Sequence, residues 1–137
     1  MQDGKPEQLT DGAWEVGWAH WLPDGQHIVL LGSRARSSER QIEVLDTVSR
    51  ALRTLGSGPG MATHLSMTAR GKRVLYEHSR FNQPTDLFSL GLEPGAIPAQ
   101  VTRSVPAAFR AVDWVVPEVV EFAAHDGVHL KGLLYRP

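Results

Sequence analysis

Residues 20–33 read HWLPDGQHIVLLGS, a turn signal followed without a break by apolar and β-branched residues. Pro23 presets φ, Asp24 can hydrogen-bond its own backbone and Gly25 tolerates φ > 0, so 23–25 is a turn with a mechanism. Ile28, Val29, Leu30 and Leu31 are apolar in succession, without in-out alternation. A strand of that kind is buried on both faces. The same phrase returns from residue 65 as LSMTARGKRVLYEHS.

Laying Gly25 on Gly71 sets an offset of 46 residues and places Gln26–Leu30 over Lys72–Tyr76. The same offset puts Leu55 over Val101. Doubled, it carries Gln8-Leu9-Thr10 onto Gln100-Val101-Thr102. Ile42–Leu45 falls on Leu87–Leu90 one residue out of step, as a small loop insertion would produce.

Each unit divides into four short strands. The first holds Val16–Trp21, His27–Leu31, Gln41–Leu45 and Ala51–Leu55. The second holds Ala62–Met67, Arg73–Glu77, Asp86–Leu90 and Ala99–Thr102. Between them lie Pro23-Asp24-Gly25, SRARSSER, Gly56–Gly60, Ala69-Arg70-Gly71, Asn82-Gln83-Pro84 and Glu93-Pro94-Gly95. No segment shows a sustained helical period. Four strands in roughly 40–50 residues is the arithmetic of a β-propeller blade; an antiparallel sandwich or barrel is the alternative. Trp18 and Trp21, at opposite parity, fit a first strand near a crowded propeller axis. Two blades alone leave apolar faces and strand edges open to water, which favours self-association.

After Thr102 the pattern changes. A connector with two prolines, SVPAAFRAVDWVVPE, leads into the runs Val119–Ala124 and Val128–Tyr135 around Asp126-Gly127. An Asp-Gly pair between strands predicts a two-residue hairpin turn with both central residues at positive φ. The expected organisation is therefore the end of a preceding blade (1–12), two blades (13–58 and 59–104), a linker (105–117) and a separate hairpin (118–137).

Composition narrows the function. The 137 residues carry a net charge of −1 with the signs interspersed, so no basic surface points to nucleic acid. The absence of cysteine excludes disulfides and thiolate metal sites. The longest apolar runs are strand-sized, far short of the ~20 residues of a membrane-spanning helix, and the N-terminus lacks the build of a signal peptide. No membrane partner is expected, and the compartment, cytoplasmic or periplasmic, stays open.

The phrases WLPDGQHIVLL and DLFSLGL…AQVT resemble propeller blades of the prolyl oligopeptidase family of serine peptidases, and also periplasmic propellers of the TolB type. EVVEFAAHDGVHLKGLLYRP, residues 118–137, resembles the hairpin that opens the α/β-hydrolase domain of that peptidase family, with Asp126-Gly127, Gly132 and Tyr135-Arg136-Pro137 at the matching positions. The acylaminoacyl-peptidase and dipeptidyl-peptidase branches are the nearest in character. The resemblance implies an all-β, incomplete propeller that caps a Ser-Asp-His active site and restricts it to short peptides. The implied partners are the remaining blades, the hydrolase domain and, through the complete enzyme, a peptide substrate. A TolB-like binding module without enzymatic activity is the alternative. No serine here is flanked by glycine at both −2 and +2, so the nucleophile elbow is missing. No catalytic residue is assigned, and the chain alone is expected to be inert.

Other features have simpler readings. His125 and His129 flank Asp126, but a two-residue turn would pair His125 with Val128 and His129 with Ala124, pointing the rings to opposite sides. No metal ligand is assigned. In Gly56–Gly60, GSGPG, Pro59 removes a backbone donor and Met61 stands where a dinucleotide loop needs glycine, so no cofactor site is assigned. His20, His27, His64 and His78 read as strand or loop polar groups, and Trp14, Trp18, Trp21 and Trp114 as inter-blade packing. Arg34 and Arg36, in a loop with Glu39 and Arg40, are the candidates for lining a tunnel or domain interface and gating substrate.

Overall fold

The apolar runs between Gly, Pro and Asp punctuation in the two repeats become strands. The computed structural model describes residues 4–136. The first sheet is β1 (Val16–Trp21), β2 (His27–Gly32), β3 (Gln41–Asp46) and β4 (Leu52–Thr54). The second is β5 (Met61–Met67), β6 (Arg73–Arg80), β7 (Gln83–Gly91) and β8 (Ala99–Gln100). Both are four-stranded antiparallel meanders in sequential order, and neither closes on itself. A single helical turn, α1 (Ala107–Arg110), follows, and then a separate two-stranded sheet, β9 (Glu118–Ala123) with β10 (His129–Leu134). The described residues are all-β apart from α1.

Two expectations need correction. β7 starts at Gln83 because β6 and β7 form a tight hairpin in which Arg80 pairs with Gln83. Pro84 is accommodated beside a register irregularity between His78 and Arg80, one of the few settings in which a strand tolerates proline. The second hairpin does not turn on two residues. Gly127 N–H donates to Ala124 C=O at 2.9 Å, Ala124 N–H to Val128 C=O at 2.8 Å, and only Gly127 has positive φ, 82°. This is a three-residue loop ending in a left-handed glycine. His129 therefore pairs with Ala123, and His125 lies in the loop. β1 is an edge strand exposed along most of its length, with Trp18 reaching the inter-sheet core.

The two large sheets stack through a core in which each uses a different face. The first sheet contributes Val29, Leu31, Ile42 and Val44; the second contributes Val74, Tyr76 and Leu90. In repeat register these are opposite faces. Val74, Tyr76 and Leu90 correspond to Ile28, Leu30 and Leu45, which cluster on the far side of the first sheet beneath Leu9, Trp14 and Leu52. Burial on both faces explains why β2 does not alternate. β6 does alternate, because its outer face carries the half-exposed Leu75 and Glu77. Tyr76 is fully buried, and that burial pushes its phenol up to about 12.

A second contact pins the sheets together. Arg40 N–H donates to Gly60 C=O and Ala62 N–H to Arg40 C=O, each at 3.1 Å. Gly60 has φ 121° and lies so close to the Ser79 carbonyl and the His78 ring that no side chain fits. His78, buried between Tyr76 and Phe88, has no hydrogen-bond partner for Nε2. Burial, with Arg80 nearby, holds its imidazole below the usual value.

Each sheet also clips the segment that leaves its fourth strand in the same way. Ser57 Oγ donates to Gln41 Oε1 at 2.6 Å and accepts from Ile42 N–H at 3.5 Å. In the second sheet Thr102 Oγ1 donates to Asp86 Oδ1 and accepts from Leu87 N–H at 2.9 Å. The Ser104 hydroxyl and N–H and the Gln100 amide complete the Asp86 site. The Thr102 hydroxyl first, with Ser104 and Gln100, holds the Asp86 carboxyl down at about 2.

Two predictions follow from this packing. Gly25 (φ 68°) faces open space, whereas its counterpart Gly71 (φ 62°) packs on the rigid Pro23 ring. Gly25→Ala should cost roughly 1–2 kcal/mol, and Gly71→Ala roughly 1–3 kcal/mol more, measured by denaturant unfolding. Acid should destabilise the protein in two windows. His78 is protonated more readily in the unfolded chain, so stability falls as pH drops below 6.5. The Asp86 contribution is lost between its unfolded value of 3.8 and about 2. His78→Phe should abolish the upper window and keep the lower, read from unfolding midpoints across pH.

Candidate functional site

In a four-stranded meander, the connection between strands two and three and the one leaving strand four emerge at the same end. The loop 33–40, the β6–β7 hairpin, the link 55–60 and the connector 101–117 therefore share one end of the two sheets. The β9–β10 hairpin lies there as well. A cleft of about 320 Å³ separates Ala35–Ser38 from Val119, Glu121 and Lys131. A second, of about 440 Å³, lies between the β6–β7 hairpin and the connector.

Arg34 and Arg36 have different surroundings. Arg34 Nε donates to Glu43 Oε1 at 2.8 Å, and its terminal nitrogen donates to Thr54 Oγ1 at 3.0 Å. Thr54 Oγ1 in turn donates to the same Glu43 oxygen at 3.0 Å. Glu43 is 1% exposed, and its Oε2 has no hydrogen-bond partner. That oxygen and the Trp14 ring fill the space where a Gly32 side chain would stand, so glycine is required there. Arg34 thus serves a buried carboxylate and ties down the start of the loop. Arg36 is exposed, 3.5 Å from Glu39, and lines the cleft facing the hairpin. Arg40 pairs with Glu15 at 2.5 Å, away from that cleft. The loop therefore offers one exposed guanidinium, loosely paired with Glu39, rather than a converging pair.

Among the described residues no hydroxyl is hydrogen-bonded to a histidine, and no three His, Asp or Glu side chains converge as metal ligands. His27 pairs with Asp24 at 2.8 Å and His64 with Glu77 at 3.0 Å. Asp24 also accepts from the His27 and Gln26 N–H groups, and these bonds hold its carboxyl at about 2. The tryptophans scatter. Trp14 covers the far face of the first sheet, Trp18 packs against the inter-sheet core, Trp21 is exposed and Trp114 stacks on Phe109. Among the described residues no nucleophile has a histidine base beside it.

No family model and no curated protein matches the chain. Solved structures do. The chain is similar to the Porphyromonas gingivalis dipeptidyl peptidase 4 (TM-score 0.76, 14% identity, covering 96% of this chain and 19% of that one). It is also similar to a puromycin-hydrolysing peptidase of Mycobacterium tuberculosis (TM-score 0.74, 16% identity, covering 100% of this chain and 21% of that one). The chain thus spans about a fifth of the length of either structure. At these identities the likeness is one of fold.

Arg34→Met should destabilise the protein by roughly 1–3 kcal/mol, because it leaves Glu43 buried without a counter-charge. Arg36→Met should change stability by less than about 0.5 kcal/mol. A second substitution, Glu43→Met, should recover most of the Arg34→Met loss. Thermal melts of the three variants check this.

Proposed function

We propose that this chain is the non-catalytic propeller portion of a serine peptidase of the prolyl oligopeptidase family. In this reading 1–12 ends a preceding blade, 13–58 and 59–104 are blades, and 105–117 is the linker. Residues 118–137 open the α/β-hydrolase domain, so the chain joins a substrate-gating cap to the catalytic domain and is inert alone. The observation that supports it most is the use of unlike faces in the sheet stack. One face of the first sheet packs on the opposite face of the next, a head-to-tail contact that repetition turns into a ring. That both similar solved structures are peptidases supports the same reading.

Arg36, and Arg34 by fixing the loop beneath it, are proposed to act at the boundary between cap and catalytic domain. The exposed guanidinium can meet a peptide carbonyl or carboxylate entering from that side.

The test is to express the complete reading frame that contains this segment and treat it with a fluorophosphonate, which labels activated serines. The expected adduct lies on a serine outside residues 1–137, and the chain alone takes no label. Arg36→Glu in that protein should alter kcat/KM for short peptides several-fold. Absence of labelling in the complete protein overturns the peptidase reading, and unchanged kinetics overturns the gating role of Arg36.

A further inference from the structure

The larger cleft, of about 440 Å³, is built from two sources. The β6–β7 hairpin supplies Arg80, Asn82 and Gln83, and the connector supplies Phe109, Arg110 and Trp114. The connector wall carries two aromatic rings. The Phe109 and Trp114 rings stack at 4.3 Å and 26°, and Trp114 Nε1–H donates to Phe109 C=O at 2.9 Å. Asp86 and Val105, both buried, form the floor.

The cleft's cations and anions are not matched to one another. Asp86 is held by Gln100, Thr102 and Ser104. Asp113 lines the same cleft, yet among the described residues neither Arg80 nor Arg110 forms an ion pair with it or with any other carboxylate. Two guanidinium forks are thus left open beside a flat aromatic surface in a recess. A guanidinium matches a carboxylate through two parallel N–H donors. The stacked rings offer a surface for an apolar or aromatic group next to that carboxylate. Asp86 and Asp113 add negative charge to the same walls, which tells against a dianion and leaves a monoanion as the fitting ligand.

We infer that the cleft between the β6–β7 hairpin and the 105–114 connector binds a carboxylate carried on an apolar or aromatic group, as at the C-terminus of a short peptide. Arg80 and Arg110 hold the carboxylate, and Phe109 with Trp114 holds the side chain. This inference stands on the cleft alone and does not depend on the peptidase reading.

The test uses the chain at low micromolar concentration, with the Trp114 indole N–H as an NMR reporter. N-acetyl-Gly-Phe with a free carboxylate should shift that signal and saturate near millimolar concentration. Its C-terminal amide should bind at least tenfold more weakly, and inorganic phosphate should give no saturating shift. Arg80→Gln and Arg110→Gln should each weaken the acid at least fivefold with the backbone amide pattern of β6 and β7 intact. Arg70→Gln, at the opposite end of the sheet, should leave binding unchanged. Equal binding of acid and amide, binding of phosphate as strong as that of the acid, or indifference to both cleft arginines would each overturn the assignment.

Discussion

The structure depends on one contact, the stacking of the first sheet on the second around Tyr76. The faces involved are not alike. Val29, Leu31, Ile42 and Val44 present an aliphatic surface; Val74, Tyr76 and Leu90, with Phe88 beside Tyr76, present a surface that carries aromatic rings. Each face excludes water from the other, and the eleven buried apolar and aromatic groups gathered there (about 1.5–3 kcal/mol for each large side chain when fully buried) dominate every polar contact described above. The backbone link at Arg40, Gly60 and Ala62 adds direction: it fixes how the sheets are offset, which an apolar contact alone does not.

Functional geometry inherits this order. Because the sheets are pinned at the 40–62 link, the loop 33–40, the β6–β7 hairpin and the connector are held at one end together. Glu43 shows the cost and the use of that arrangement. A carboxylate in the middle of a strand is buried on the apolar far face of the first sheet, and Arg34 must reach back from the loop to neutralise it. Arg36, two residues on, is left exposed at the cleft that faces the β9–β10 hairpin.

Much of this was legible in the sequence, for identifiable reasons. The strands lie where Gly, Pro and Asp punctuation leaves room for them, and the unbroken run Ile28–Leu31 announced a strand covered on both sides. The repeat also contained a signal that went unread. Gln41 with Ser57 and Asp86 with Thr102 are each polar pairs sixteen residues apart at corresponding positions, and both prove to be clips between the third strand and the segment that leaves the fourth. Strand parity could have flagged Glu43 as well, since it shares a face with Leu45 and needed a partner. Other features were beyond reach. The hairpin at 124–128 took a three-residue loop because Ala124 and Val128, rather than His125 and Val128, closed the ladder. The 440 Å³ cleft exists only because the connector folds back on the second sheet, a tertiary event without a local motif.

The stacking of the two sheets is tested most directly by native-state hydrogen exchange at the amides of Arg40 and Ala62, which bridge them. The account predicts protection at these two amides equal to that of Val44 and Tyr76 within the sheets, so that the link opens only when the whole unit unfolds. Rapid exchange at Arg40 and Ala62 while Val44 and Tyr76 stay protected would mean that the sheets are independent bodies, and the shared core would be contradicted.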